Sequence, residues 1–209
     1  MASAVIHLVV ANEINKQLRL NKYQLLIGSI APDISKLVGE TKLDSHFLDT
    51  VDNNVPNIDK FLDKYKNKLN DPFVMGYFIH LYTDLLWFKY FITEITTENT
   101  ISTLDGKTIK CSKDDMLYYI YNDYTNINEF LIKKYNIDKG IFYKKFDIAK
   151  YIIDEIPMDK LDILINKTNE IILNNYAEKC YIFDTKNIIQ FIGTSINLIK
   201  LKLKELKLL

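Results

Sequence analysis

The chain has 209 residues, and its 27 lysines and arginines equal its 27 aspartates and glutamates, so the formal net charge is zero. This length suffices for one domain with a full core, and no Pro/Gly/Ser-rich linker or internal repeat divides it, so we expect a single domain over residues 1–209. The balanced charge gives no global electrostatic basis for binding nucleic acid, and Arg19 is the only arginine.

The first elements are predicted to be helices. Apolar periodicity indicates helices over about residues 3–19 and 22–30, and the second of them leads into a turn at Pro32 and Asp33. A loop that carries His46 and a helix over about residues 57–69 follow. The N-terminal third of the chain is therefore expected to be a set of short helices joined by turns.

The central helix is predicted to begin after Asn70-Asp71-Pro72, which offers an N-capping side chain and a proline at the first helical position. From residue 73 to residue 92, Asp84 and Lys89 are the only formally charged residues, and most of the others are apolar or aromatic. A membrane span is one interpretation of so apolar a segment. Its charged groups are unfavourable in lipid and no basic cluster flanks it, so we expect a buried helix instead.

The second half is predicted to be helical as well, apart from one hairpin. Periodic apolar stretches cover about residues 113–136, 140–153, 158–176 and 184–205. Between residues 100 and 111, the turn signal Leu104-Asp105-Gly106-Lys107 predicts a β-hairpin. This hairpin is either an exposed ribbon or a flap over a site on the preceding helix. The expected fold class is all-α with one short hairpin.

The C-terminal stretch, residues 196–209, carries lysines among leucines, namely Lys200, Lys202, Lys204 and Lys207. It is compatible with a basic amphipathic helix that contacts an anionic membrane surface. It is also compatible with a packed terminal helix whose lysine stems cover apolar surface, which is the commoner arrangement. Residues 199–204 alternate as in a strand, so the pattern leaves the type of element open.

The cysteines and the N-terminal residues indicate the compartment. Cys111 and Cys180 have neither zinc-finger nor redox spacing, so we expect free thiols in a reducing compartment. Residues 1–11 have no basic segment and only a short apolar run, which is unlike a secretory signal. The expected location is the cytoplasm.

All three histidines of the chain are candidate metal ligands together with two aspartates, and the full set is His7, Asp33, His46, His80 and Asp84. Imidazole nitrogens and carboxylate oxygens bind zinc and related divalent ions. His80 and Asp84 are four residues apart on the predicted central helix, so both side chains leave one helix face. Such groups cost several kcal/mol to bury unless they are paired or bind a metal.

Each candidate also has an ordinary structural interpretation. Asp84 would pair with His80 or with a tyrosine hydroxyl, and His7 would be a core histidine bonded to a backbone carbonyl. Asp33 would cap a helix or a turn, and His46 would lie in a surface loop. The occurrence of all five in this order favours a metal site.

Four motifs in the first half of the chain resemble the zinc-dependent phospholipase C family, which is related in fold to the single-strand-specific zinc nucleases. In chain order they are Ser3-Ala-Val-Ile-His7-Leu, Leu26-Ile-Gly-Ser-Ile-Ala-Pro32-Asp33, Ser45-His46-Phe47 and Gly76-Tyr-Phe-Ile-His80-Leu-Tyr-Thr-Asp84-Leu-Leu-Trp87. The resemblance implies a single helical domain of the phospholipase C type. It ends at about Trp87, and the second half of the chain adds no motif.

The resemblance also implies a role for each ligand. Asp33, His46, His80 and Asp84 would surround one metal ion, and Asp84 would bridge to a second ion that His7 also binds. Members with three metals use two further histidines and a glutamate downstream, whereas His80 is the last histidine here. Secreted members also use the amino group of an N-terminal tryptophan, whereas this sequence begins Met-Ala-Ser. We therefore expect one or two divalent ions, with zinc as the metal.

Metal chemistry then predicts the function. A divalent ion held by these side chains would lower the pKa of a bound water toward neutrality and bind an anionic phosphoryl oxygen. Asp33 is either a metal ligand or the general base that accepts the proton of that water. The expected activity is zinc-dependent hydrolysis of a phosphoester, with a phospholipid as one candidate substrate.

Two other functions are compatible with the same residues. A nuclease-like phosphodiesterase would have a basic groove and aromatic stacking platforms for a single strand, and the chain lacks clustered arginines. A helical protein that binds the metal without catalysis would bind zinc tightly and hydrolyse no ester.

Overall fold

A computed structural model of the protein describes residues 1–143, 153–173 and 179–209. This part of the chain is mostly helical and contains a two-stranded antiparallel sheet. The α-helices are α1 (Ala4–Leu18), α2 (Lys22–Gly28), α3 (Ile34–Leu37), α4 (Ile58–Tyr65), α5 (Pro72–Leu86), α6 (Lys113–Lys134), α7 (Leu161–Leu173) and α8 (Thr185–Glu205). No helix among the described residues is both long and apolar enough to span a bilayer.

Polar side chains cap the helices near the predicted starting points. The carboxylate of Asp71 accepts hydrogen bonds from the backbone amides of Phe73 and Val74, and Pro72 is the first residue of α5. This arrangement satisfies amides that have no partner inside the helix, and it confirms the predicted start of the central helix. Ser112 forms a capping box with the third residue of α6 in the same way.

Helix α5 is shorter than the predicted central helix. Its regular α-helical part ends at Leu86, and a π-helical turn (Trp87–Phe91) and a 3-10 turn (Ile92–Glu94) follow it. Trp87 is buried there, and its ring packs edge-on against Phe191 with the ring centroids 5.1 Å apart. The aromatic side chains after Leu86 thus pack toward α8, which hydrophobic periodicity along one helix does not show.

The helix predicted over residues 140–153 is wrong in its first part and otherwise lies outside the described residues. A 3-10 turn (Lys139–Tyr143) stands at its start. The side chain of Asp138 accepts a hydrogen bond from the amide of Gly140, and this local bond favours a turn over a helix. The helix predicted over 158–176 begins as a 3-10 turn (Met158–Lys160) and continues as α7. Residues 174–176 of this prediction lie outside the residues that the structure describes.

The predicted hairpin is confirmed. Strands β1 (Thr100–Ser102) and β2 (Thr108–Lys110) pair antiparallel, with Ile101 opposite Ile109. Gly106 has a φ of 80°, in the left-handed region that glycine adopts without strain. Ile101 is completely buried, and the amide of Leu104 donates to a carbonyl of the segment before α8. The hairpin is therefore a ribbon that is tied to the body of the domain.

Helices α2 and α5 cross in close contact at two glycines. A Cβ atom on Gly28 would overlap the carbonyl oxygen of Phe73, and a Cβ atom on Gly76 would overlap the carbonyl oxygen of Leu25. Because interiors are close-packed, the helices could not approach this closely with larger residues. The crossing places the end of α2 against the middle of α5, where His80 lies.

Helix α8 packs on α1 and α5 through an apolar stripe. Ile192, Ile199 and Leu203 are completely buried and follow a helical spacing, so the strand interpretation of residues 199–204 is wrong. Lys202 pairs with Glu205 at the protein surface. These contacts favour the packed terminal helix, and contact of its lysines with a membrane surface stays a prediction.

Candidate metal centre

The five predicted ligands meet in the core of the domain. His7 comes from α1, Asp33 from the 3-10 turn before α3, His46 from the loop before α4, and His80 and Asp84 from α5. The candidate ligands form two groups, the first of Asp33, His46 and His80 and the second of His7, His80 and Asp84, and within each group the ligand atoms all lie within 4.8 Å of one another. His7, His80 and Asp84 are completely buried, and the side chain of Asp33 is 15% exposed.

The first group surrounds a small space with nitrogen and oxygen atoms. The Nε2 atoms of His46 and His80 are 3.3 Å apart, and Oδ1 of Asp33 lies 3.5 Å from Nε2 of His46. Oδ2 of Asp84 lies 3.7 Å from each of these two nitrogens. Among the described residues, neither Asp33 Oδ1 nor Asp84 Oδ2 has a hydrogen-bond partner.

Hydrogen bonds outside this space fix the tautomers of both rings. Nδ1 of His80 lies 2.8 Å from the carbonyl oxygen of Ser29, which can only accept, so the proton is on Nδ1. Nδ1 of His46 lies 2.9 Å from Oγ of Ser45, and that hydroxyl donates its own proton to Oγ of Ser35 at 3.0 Å. Nδ1 of His46 is therefore also the protonated nitrogen. Both Nε2 atoms present lone pairs to each other.

Two facing lone pairs beside two unpaired carboxylate oxygens repel unless a cation or a proton lies between them. Burial, followed by the nearby ring of His7, lowers the pKa of His80 to about 3. Burial likewise lowers the pKa of His46. Since neither ring takes up an additional proton readily at neutral pH, the group is complementary to a metal cation.

Asp33 is ionised in this setting. Burial opposes its ionisation, but the neighbouring rings of His46 and His80 hold its pKa well below the usual range. Its side chain is the most exposed of the ligand set and lines a cavity. Asp33 is therefore placed both to bind a metal and to contact molecules that enter from solvent.

The second group is held less firmly. Nε2 of His7 lies 3.3 Å from Oδ1 of Asp84, yet neither ring nitrogen of His7 makes a hydrogen bond with a described residue. The ring of His7 stacks on that of His80, with centroids 3.8 Å apart and an interplanar angle of 12°. Oδ1 of Asp84 also accepts a hydrogen bond of 2.9 Å from the amide of Ala2. Asp84 thus points one oxygen toward each group.

The ordinary interpretations of Asp33, His7 and His46 do not hold among the described residues, whereas Asp84 does stand within ion-pair distance of His80. Asp33 makes no capping hydrogen bond, and His46 is only 1% exposed. His7 bonds no carbonyl among the described residues, and His80 bonds the carbonyl of Ser29 while it stands 3.7 Å from Asp84. An imidazole that donates one N–H to a carbonyl and presents its other nitrogen is typical of metal-binding histidines.

Sequence reasoning missed the residues that orient the ligands. They are Ser29, Ser35 and Ser45, all of which are buried. Tyr77 adds to this set, because its hydroxyl donates to the carbonyl of Ser45. Ser29 and Ser45 lie inside the quoted motifs, and their adjacency to ligand residues is the signal that could have identified them.

Two cavities with shared walls lie on the side of Asp33. One has a volume of about 260 Å³ and includes Asp33 in its lining, and the other has a volume of about 660 Å³. Both are lined by Met1, Lys36, Tyr121 and Tyr124. The two cavities therefore share part of their walls, and Asp33 is the candidate ligand that opens onto the smaller one.

No family model, curated protein or solved structure matches the chain. The resemblance to the phospholipase C family therefore rests on the sequence motifs. The fit to a metal rests on the donor set, because two neutral imidazoles and two carboxylates are ligands that zinc binds at tetrahedral sites.

Proposed function

We propose that the protein is a zinc-dependent hydrolase of phosphoesters whose metal ion is held by Asp33, His46, His80 and Asp84. The observation that carries this proposal is the approach of the two imidazole lone pairs to 3.3 Å beside carboxylate oxygens that have no partner among the described residues. A bound divalent ion would supply Lewis acidity, which lowers the pKa of a water and polarises a phosphoryl oxygen.

The side chains of the centre have distinct roles in this proposal. His46 and His80 are locked by their Nδ1 hydrogen bonds, so their Nε2 atoms hold position without a metal. Asp84 supplies the negative charge at the closed end of the site, because it is completely buried. Asp33 lines the cavity, and its ionised carboxylate is placed to accept a proton from an attacking water or to bind the metal directly.

The family membership and the location belong to the same proposal. The ligands follow the order α1, turn, loop and α5, and this order supports a domain of the phospholipase C and zinc nuclease type. The unpaired thiols of Cys111 and Cys180 support a cytoplasmic location.

A second candidate function is favoured by the burial of the centre. Structural zinc sites are closed, whereas catalytic sites keep a position open for water or substrate. His7, His80 and Asp84 are completely buried, and Asp33 alone among the ligands is partly exposed. A non-catalytic metal-binding protein would bind zinc in the same way and hydrolyse no ester.

Metal content and turnover, measured on one preparation, test both candidates. Protein purified without chelators or a nickel column is expected to contain about one zinc ion per chain by mass spectrometry, and His80→Ala is expected to contain none. The zinc-loaded protein is then assayed on chromogenic phosphate monoesters and diesters beside His80→Ala. Turnover that disappears in His80→Ala supports the hydrolase, and zinc without turnover supports the second candidate. A protein that binds no zinc contradicts both.

Asp33→Asn separates the two roles of that residue. If Asp33 accepts the proton, the substitution lowers kcat more than it lowers zinc affinity. If Asp33 is chiefly a ligand, zinc content and rate fall together. The measurement is a zinc titration followed by kinetics at saturating zinc.

A further inference from the structure

Two lysine ammonium groups converge beside the candidate metal centre. Lys36 lies on α3 and lines both cavities, and Lys42 lines the larger one. The ammonium of Lys42 lies 5.8 Å from the centre of the Phe88 ring. Among the described residues, neither lysine belongs to a salt bridge, although other lysines of the chain do.

The two ammonium groups influence each other and the centre. Burial, followed by the charge of Lys36, lowers the pKa of Lys42, whereas the carboxylates of Asp84 and Asp33 act in the opposite direction. The charge of Lys42 is therefore influenced both by a second cation and by the carboxylates of the centre. Two like charges in a partly desolvated place are unfavourable by themselves and become favourable when an anion bridges them.

The larger cavity combines these charges with an apolar wall. Its charged lining residues are Lys36, Lys42 and Lys113, and none of the described residues that line it is acidic. Its apolar lining includes Phe88, Ile92, Met116, Leu117 and Ile120. A ligand that fits this cavity has an anionic end at the lysines and an apolar end along the wall. Lys36 also lines the smaller cavity, into which Asp33 of the candidate centre opens.

We propose that Lys36 and Lys42 bind the additional negative charge of a phosphate monoester whose alcohol is apolar, and that this class of compound is the substrate. The inference rests on the proposed function and deepens it. A monoester is largely dianionic at neutral pH because its second pKa is about 6. A choline ester would instead place a cationic headgroup among lysines, which is unfavourable.

The reaction is hydrolysis with attack at phosphorus. The oxygen of a water forms a bond to phosphorus, and the bond from phosphorus to the ester oxygen breaks. One proton of the water passes to the leaving oxygen, and the other stays on the phosphate that forms. The products are the apolar alcohol and inorganic phosphate, and no oxidant or second substrate is required.

Binding of two probes that share one tail tests the inference. Octylphosphonate carries a head of net negative charge on a stable carbon–phosphorus bond and becomes dianionic above its second pKa, whereas octylphosphocholine carries a zwitterionic head on the same tail. Calorimetry on the zinc-loaded protein is expected to give at least roughly ten-fold tighter binding of octylphosphonate, as expected for charge-assisted hydrogen bonds. Equal affinity for the two probes overturns the proposal.

Variants of the two lysines show which positive charge binds the anionic head of the probe. Lys36→Gln and Lys42→Gln are each expected to weaken octylphosphonate binding roughly ten-fold and to leave octylphosphocholine binding unchanged. Lys42→Arg is expected to restore most of the affinity. The control is Lys186→Gln, which removes an exposed charge at the start of α8. This variant is expected to bind both probes with the affinity of the wild type. Because Lys36 is exposed, its variant is expected to fold even if the variant of half-buried Lys42 does not.

Zinc content, measured on every variant, separates this inference from the proposed function. If the wild-type protein holds no zinc, the proposed function fails. The effect of the lysine variants on octylphosphonate binding still shows whether Lys36 and Lys42 form an anion-binding site. If zinc is bound and both lysine variants bind octylphosphonate as the wild type does, the anion site is wrong and the proposed function stands.

Discussion

Asp84 and Asp123 are both completely buried, but only one of them is fully hydrogen-bonded. The carboxylate of Asp123 accepts hydrogen bonds of 2.7–3.1 Å from the backbone amides of residues 181–183 and from the side chain of Asn122. Asp84 accepts one backbone amide on Oδ1, and its Oδ2 has no partner among the described residues. The first carboxylate organises the chain before α8, and the second is left available to a cation. Hydrogen bonding, rather than burial, distinguishes a structural carboxylate from a metal ligand.

The largest expected effect is that of Asp123→Asn. An amide in place of this carboxylate directs a donor toward backbone amides and leaves one of them without an acceptor, which we expect to cost about 3 kcal/mol of stability. The melting temperature should fall by about 6–12 °C for a domain of this size. The loss should be the same with zinc and with a chelator, because Asp123 is not among the ligands.

Asp84→Asn is the matched variant and should behave in the opposite way. The metal-free variant is expected to lose less stability than Asp123→Asn, because Asp84 accepts one backbone amide whereas Asp123 accepts three. Added zinc is expected to leave its melting temperature unchanged. A loss of stability in chelator as large as that of Asp123→Asn would show that Asp84 is structural too.

The next largest effect is that of zinc on the wild-type protein. Free zinc at one hundred times its dissociation constant should stabilise the fold by about 2.7 kcal/mol, or about 5–10 °C in melting temperature. His46→Ala should abolish this increase, whereas His7→Ala should keep most of it, because only His46 has its ring oriented by a hydrogen bond. Equal loss in the two variants would mean that both groups fill together.

Acid should destabilise the metal-free protein before any carboxylate titrates. The pKa of His80 is about 3 in the folded protein and 6.5 in the unfolded chain, so the unfolded state binds more protons between these values. The contribution of His80 to stability is therefore complete above pH 6.5 and falls by about 1.4 kcal/mol per unit as the pH decreases, or about 2 kcal/mol by pH 5. Urea unfolding in chelator measures the slope, and His80→Phe should reduce it, while His46, whose pKa burial also lowers, keeps part of it. The aspartates contribute only below about pH 4, since the pKa of Asp84 is lowered from 3.8.

The smallest expected effect tests the support of His46. Ser45→Ala removes the acceptor of the Nδ1 proton, and zinc affinity should fall about ten-fold or somewhat more. Ser195→Ala is the matched control, because Ser195 is also buried and its Oγ makes no hydrogen bond with a described residue. If both variants bind zinc as tightly as the wild type, Ser45 does not orient His46.

The convergence of the five candidate ligands and most of the helices could be predicted because each carries a local signal. His80 and Asp84 show a helical spacing, and Asp71 with Pro72 marks the start of their helix. The partners of the ligands could not be predicted in this way. Ser35 and Ser45 are ten residues apart, and their bond depends on how a loop folds onto a turn.

The lysines beside the centre and the π-helical turn were missed for a similar reason. Lys36 and Lys42 each look like ordinary solvent-exposed charges in the sequence, and only the fold brings their ammonium groups together. The turn (Trp87–Phe91) follows from aromatic contacts with residues about a hundred positions later. Packing against such distant residues produces no hydrophobic periodicity within the segment itself.

If the centre binds zinc as proposed, the glycine crossing of α2 and α5 makes its affinity depend on residues that never touch the metal. Gly28 and Gly76 set how closely the carbonyl of Ser29 approaches the ring of His80, which now stands at 2.8 Å. A single methyl group at either position would spread the helices and lengthen that bond while every ligand stayed in place. Substitution of either glycine is therefore a way to change zinc affinity from outside the coordination sphere. A homologue that lacks these glycines would need a different hydrogen-bond acceptor for the histidine at position 80.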